Sequence, residues 1–170
     1  MIQHYSHLVG APIIGQHGNH VIARVKDAII DPERGTVIAI RVDRKNRLIS
    51  PVDILSWEIP LQVIDDSVLL NQDELLRVKQ IIEKKMYLIK KRVETTLGEF
   101  VGYVNDFSFD THTGALHQIS AAQRFLGFYH DNRLISAKNI VEITPAAVIV
   151  KETSKKVPVQ WKKGLKLETC

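Results

Sequence analysis

The sequence predicts a mainly β protein built from two copies of one small unit, with a single α-helix joining them. Three observations predict it: an internal repeat, period-two alternation of apolar residues, and one stretch with apolar residues at helical spacing. The repeat is visible by eye. Val21-Ile22-Ala23-Arg24-Val25-Lys26-Asp27 and Phe100-Val101-Gly102-Tyr103-Val104-Asn105-Asp106 align at an offset of 79, which also sets Asp31 on Asp110, Gly35 on Gly114 and Ile40 on Ile119. Arg47-Leu48-Ile49-Ser50 then recurs as Arg133-Leu134-Ile135-Ser136, with Ile54 on Ile140, at an offset of 86. The second copy therefore carries 7 extra residues between its matched blocks.

Within the first copy, Val21, Ala23 and Val25 alternate with Ile22, Arg24 and Lys26, and Ile38, Ile40 and Val42 with Ala39, Arg41 and Asp43. That is the pattern of half-buried strands. Asp31-Pro32-Glu33-Arg34-Gly35 between them reads as a hairpin turn. Asp accepts bonds from amides two residues on, Pro presets φ, and Gly closes the turn at positive φ. The counterpart Asp110-Thr111-His112-Thr113-Gly114 keeps the Asp and the Gly, so turn chemistry explains the paired aspartates better than catalysis does. The helix is expected over 71–86. Asn71 caps it, Glu74 completes a capping-box spacing, and Leu75, Val78, Ile82 and Met86 form a stripe for one or both β units. The expected boundaries are 1–70 for the first unit, 71–86 for the linker helix, 87–152 for the second unit and 153–170 for a basic, flexible tail.

This pattern resembles the PRC-barrel family, named for the cytoplasmic part of the photosynthetic reaction-centre H subunit. The family also includes the C-terminal domain of a ribosome-maturation factor. The matching residues are Val25, Asp27, Asp31, Gly35, Val37, Arg47-Leu48-Ile49-Ser50 and Ile54 in the first copy. In the second they are Val104, Asp106, Asp110, Gly114, Arg133-Leu134-Ile135-Ser136 and Ile140. The match runs from about Leu8 to about Val150, and Ala23 against Gly102 is a departure inside a strand. The resemblance implies a strongly curved six-stranded sheet closing into a small barrel, twice over, with the two barrels joined by the helix. It also implies a non-catalytic intracellular adaptor or assembly protein whose partner is another protein. RNA or the ribosome is the alternative partner, through the ribosome-maturation branch. Against that alternative, a second PRC unit stands where that branch has its RNA-associated domain. The membrane helix that anchors the H subunit has no counterpart, so integral membrane insertion is not expected.

Composition is that of a globular chain: 45% apolar and 25% charged over 170 residues. No apolar run approaches the ~18 residues that span a bilayer, and Met1–His7 lacks the basic-then-apolar order of a secretory signal. Cys170 is the single cysteine, which excludes an internal disulfide and a multi-cysteine metal site. A cytoplasmic location is the expectation. The net charge of +4 is unevenly spread: −3 over 1–76, +6 over 77–92, −3 over 93–150 and +4 over 151–170. Polyanion-binding candidates are therefore Lys84, Lys85, Lys90, Lys91 and Arg92, together with Lys155, Lys156, Lys162 and Lys163 in the tail. The acidic bodies beside them argue for weak, non-specific attraction only.

The insertion brings aromatics into a chain where they total 6%. Arg124, Phe125, Leu126, Phe128 and Tyr129 are the partner-binding candidates, since aromatics are enriched at interfaces. The bland alternative is a lid over one end of the second barrel or a seam filler. Catalytic patterns are missing. Gly10, Gly15 and Gly18 match neither dinucleotide nor P-loop spacing, and no G-x-S-x-G occurs. His4 with His7, and His17 with His20, lack a nearby acidic third ligand. No catalytic residue, cofactor or metal is expected.

Overall fold

The structure is a computed structural model that describes residues 1–125 and 128–152, with the side chains of Asn19, Arg124, Phe125, Phe128, Tyr129 and His130 left out of the description. It is mainly β, with two sheets and two helices. The elements are β1 (Ile2–His4), α1 (Tyr5–Leu8), β2 (Pro12–Gly15), β3 (Gly18–Asp31), β4 (Thr36–Val42), β5 (Arg47–Ile49), β6 (Leu61–Val63), β7 (Leu70–Asn71) and α2 (Leu76–Glu83). The second half supplies β8 (Arg92–Thr95), β9 (Phe100–Asp110), β10 (Leu116–Phe125), β11 (Phe128–Ser136), β12 (Ile140–Ile143) and β13 (Ala147–Val150).

The repeat in sequence is a repeat in topology. The first sheet runs β6-β2-β3-β4-β5-β7, and the second runs β12-β13-β8-β9-β10-β11. Reading β13 for β6, β8 for β2, β9 for β3, β10 for β4 and β11 for β5, the five-strand order is the same. Even the parallel pair is repeated: β2 with β6, and β8 with β13. In each copy one long strand serves two neighbours. β3 pairs with β2 through Arg24 and with β4 from Val25 onward, and register shifts mark the bend. Such bulges increase twist and re-aim the strand. Among the described residues neither sheet closes on itself; the first ends on β6 and β7, the second on β11 and β12. The closure that the resemblance implies is not seen among the described residues.

The insertion has a plain structural outcome. Ile40↔Ile49 and Arg41↔Leu48 in the first sheet match Ile119↔Ile135 and Ser120↔Leu134 in the second. Beyond that shared register, β10 and β11 continue through Ala121↔Arg133, Gln123↔His130, Arg124↔Tyr129 and Phe125↔Phe128. The extra residues lengthen a hairpin.

The helix is shorter than the 71–86 expected. Leu70 and Asn71 are held extended by pairing with Leu48 and Arg47, so Asn71 caps a short 3-10 turn, Gln72–Glu74, through a 3.4 Å bond from Asp73 N–H. At the other end Lys85 takes a positive φ of 53°, and the Lys85 and Met86 amides donate to the carbonyls of Ile82 and Ile81. That double bond pattern stops a helix. Of the expected stripe only Val78 is fully buried; Ile81, outside that stripe, is buried beside it, both packed on Ile29, Ala39 and Leu48, with Leu75, Ile82 and Met86 at the margin. The helix therefore covers the outer face of the first sheet.

A single core runs through both halves, from Ile13, Ile40 and Leu61 to Val93, Phe107, Ile119 and Val148. Tyr5 stacks on Phe107 with ring centroids 4.8 Å apart, and Trp57 meets Phe109 edge-on at 5.5 Å. β1 opens the chain yet lies in the second sheet, paired with β9. Among the described residues, no helix is long and apolar enough to cross a membrane.

Candidate interaction surface

The repeated Asp and Gly residues build the junction between the halves. Asp31 Oδ1 accepts from Glu33 N–H at 3.0 Å, and Asp110 Oδ1 accepts from His112 and Thr113 N–H at 2.9 Å. Gly35 and Gly114 close these turns at φ of 60° and 72°. The two hairpins then grip each other reciprocally. Val37 N–H donates to Gly114 O and Leu116 N–H donates to Gly35 O, each at 2.8 Å. These bonds exchange under the 79-residue offset, so the turns meet about a local two-fold axis, as in an isologous dimer interface. Asp31 is buried and also holds Arg77, 3.0 Å from Nε and 2.6 Å from Nη2. That guanidinium keeps its carboxyl below the usual carboxylate range.

The other matched pair is equally occupied. Asp27 accepts from Ala28 N–H and from Arg41 Nη2, the latter at 2.5 Å, while Asp106 accepts from Phe107 N–H and from both Ser6 N–H and Ser6 Oγ. Burial, reinforced by the Asp27 carboxylate, raises the Tyr5 hydroxyl well above the ordinary tyrosine range. Together the four carboxylates hold two turns, two arginines and a serine in place. Among the described residues, no three His, Cys, Asp or Glu side chains gather as metal ligands.

The basic candidates separate on inspection. Lys84, Lys85 and Lys90 are exposed. Lys91 is buried, which removes it from any polyanion surface. Its ammonium donates to the carbonyls of Thr144 at 2.7 Å, Pro145 at 3.1 Å and Lys85 at 3.4 Å, and burial lowers its pKa. Arg92 is exposed but paired with Glu94. Lys155, Lys156, Lys162, Lys163 and Leu126 lie outside the described residues. Of Arg124, Phe125, Phe128 and Tyr129, only their backbone place in the long hairpin is described.

A surface that sequence reasoning missed lies on the outer side of β8 and β9. The Arg92 guanidinium carbon sits 4.5 Å from the centroid of the Phe100 ring. Phe100 in turn meets Tyr103 edge-on at 5.3 Å, and the two rings are 38% and 40% exposed. Strict alternation would set residues three apart on opposite faces. Here Val101 and Gly102 are both buried, and a register shift between Val93 and Glu94 brings both rings outward. The first copy has the same shift, between Ile13 and Ile14, with Val21 and Arg24 outward around buried Ile22 and Ala23, so the bulge belongs to the repeat. What is particular to the second copy is Gly102. Its φ is 157°, and a Cβ there would lie 2.8 Å from the carbonyl carbon and oxygen of Ala122. The departure from Ala23 thus has a structural job. The first copy has Pro12, Val21 and Arg24 at the matching places, so the aromatic pair belongs to the second unit alone. A cleft of about 710 Å³ beside the junction exposes further apolar surface, with Val52 86% exposed and Leu55 half-exposed.

No model of a known protein family matches the chain, and no curated protein matches it in sequence.

Proposed function

We propose that the chain is a tandem PRC-barrel-type protein that works as a non-catalytic cytoplasmic adaptor, binding another protein through the outer face of β8 and β9. The observation that carries this reading is the exposed Arg92–Phe100–Tyr103 cluster. Arg, Tyr and large aromatics dominate binding energy at protein interfaces, and a guanidinium over a ring is a preformed contact. The shared strand order, the repeated Asp and Gly turns and the Arg-Leu-Ile-Ser strand support the PRC-type assignment. Engagement of the matched aspartates in turns and pairs supports a binding role over a catalytic one.

The second reading is an RNA- or ribosome-associated maturation factor. The same cluster favours it in one respect, because bases stack on aromatic and guanidinium faces and Lys90 is exposed beside Lys91 and Arg92 in sequence. The test is a crosslinking pull-down from native cells with wild type and with Phe100→Ala/Tyr103→Ala, each with and without nuclease. The adaptor reading expects a nuclease-resistant partner whose recovery falls at least tenfold in the double variant at unchanged Tm. Association lost on nuclease treatment supports the second reading. Full recovery by the double variant removes this surface from both.

A further inference from the structure

We propose that a second docking site, apart from the Arg92–Phe100–Tyr103 cluster, takes a basic, apolar segment of another protein. It is the groove made by the cleft beside the junction and a neighbouring cleft at the start of α2. The two clefts, about 710 Å³ and 660 Å³, share Ile38 and Ser50 as a common wall. Val52, Leu55 and Leu76 line them and are exposed, Val52 by 86% and Leu76 by 70%. Apolar side chains left exposed in one concavity mark an interaction site.

Charge selects the occupant. Between Arg47 and Arg77 the chain carries Asp53, Glu58, Asp65, Asp66, Asp73 and Glu74, and neither lysine nor arginine. None of these carboxylates forms an ion pair among the described residues. Glu74 lines the groove, Asp53 sits between the lining residues Val52 and Ile54, and Glu58 follows Trp57. Of the two arginines lining it, Arg77 is tied to Asp31 and Glu33, which leaves Arg34. A segment that pairs lysine or arginine with apolar side chains satisfies both kinds of group, and complementary charge also rejects acidic partners.

The repeat supplies an internal control. The two-fold relation of the turns carries the cleft beside the junction onto one of about 410 Å³, where Lys138, Ile140 and Val141 stand for Val52, Ile54 and Leu55. Asn139 likewise stands for Asp53. The fold therefore accepts a lysine and an asparagine at those places, so packing does not dictate the valine and aspartate of the first copy. An apolar, cationic occupant does.

The full chain with Trp161→Phe, which leaves Trp57 as its single tryptophan, is titrated with a short peptide of alternating lysine and leucine. Trp57 emission and calorimetry report binding. We expect saturable binding that shifts Trp57 emission and weakens at least threefold from low to physiological salt, because these charges are exposed to screening. Binding should be at least tenfold weaker for the peptide with glutamate in place of lysine. Val52→Lys/Asp53→Asn, which installs the residues of the second copy, should weaken the lysine peptide at least tenfold at unchanged Tm. Glu58→Gln/Glu74→Gln should weaken it at least threefold, and decides if the first variant does not fold. No binding at millimolar peptide, equal binding of the two peptides, or full binding by the folded variants overturns the proposal. So does self-association of the chain that Val52→Lys/Asp53→Asn abolishes, which would make a second copy the occupant.

Discussion

Replacing Gly114 by Ala should destabilise the protein more than replacing Gly35, although the two residues hold the same place in the repeat. Both sit in the left-handed region, at φ of 72° and 60°. An L side chain there costs about 1–2 kcal/mol, and the gain from a stiffer unfolded chain is the same for both. The surroundings differ. A Cβ on Gly35 meets nothing within 4 Å, whereas one on Gly114 lies 2.9 Å from the Val37 carbonyl oxygen. That oxygen is backbone, tied to the junction through the Val37 N–H bond to Gly114 O, so it cannot swing aside. Overpacking of this kind costs about 1–3 kcal/mol, which is the expected excess for Gly114→Ala. In a chain of this size each kcal/mol moves Tm by about 2–4 °C. The gap between the variants should then be about 2–12 °C, with a matching difference in urea midpoint at unchanged m-value. Equal losses, or a larger loss for Gly35→Ala, would refute the tight reciprocal junction.

Other expectations follow from buried groups. Gly102→Ala should lower stability by about 1–3 kcal/mol through the clash with Ala122, and should alter Tyr103 fluorescence because the backbone next to that ring must shift away from Ala122. Lys91→Ala should cost about 2–4 kcal/mol, by opening a cavity and leaving the Thr144 and Pro145 carbonyls without their donor. Burial lowers the Lys91 pKa, so the unfolded chain holds that proton more tightly. Stability from this group should rise as pH climbs toward 10.5, and Lys91→Met should flatten that part of a urea-midpoint profile. Asp31, held below its ordinary 3.8 by Arg77, contributes stability above that pH and loses it as pH falls through its depressed value. A Tm-against-pH series should therefore decline less steeply below about pH 4 in Asp31→Asn than in wild type.

Much of the architecture was legible in the sequence because it depends on local rules. Period-two alternation marked β3 and β4, and the Asp-x-x-x-Gly spacing marked both hairpins, since Asx bonding and positive φ are properties of a few adjacent residues. The repeat also foretold the shared strand order, because the same pattern of apolar residues selects the same pairing twice. What exceeded the sequence depended on contacts between distant segments. Pairing with β5 shortened the helix from its start, and a lysine at positive φ ended it early. The 7 inserted residues could be placed but not shaped, and a hairpin resulted because β10 and β11 had a register to continue. Lys91 counted as a surface charge until the 144–145 turn folded over it. The Arg92–Phe100–Tyr103 cluster was hidden for the same reason. Only the register shift between Val93 and Glu94, with Val101 and Gly102 both buried, turns two residues three apart onto one face. Secondary structure is written in short-range periodicity, whereas burial and exposure are settled by which strand lies alongside, and that is a property of the folded chain.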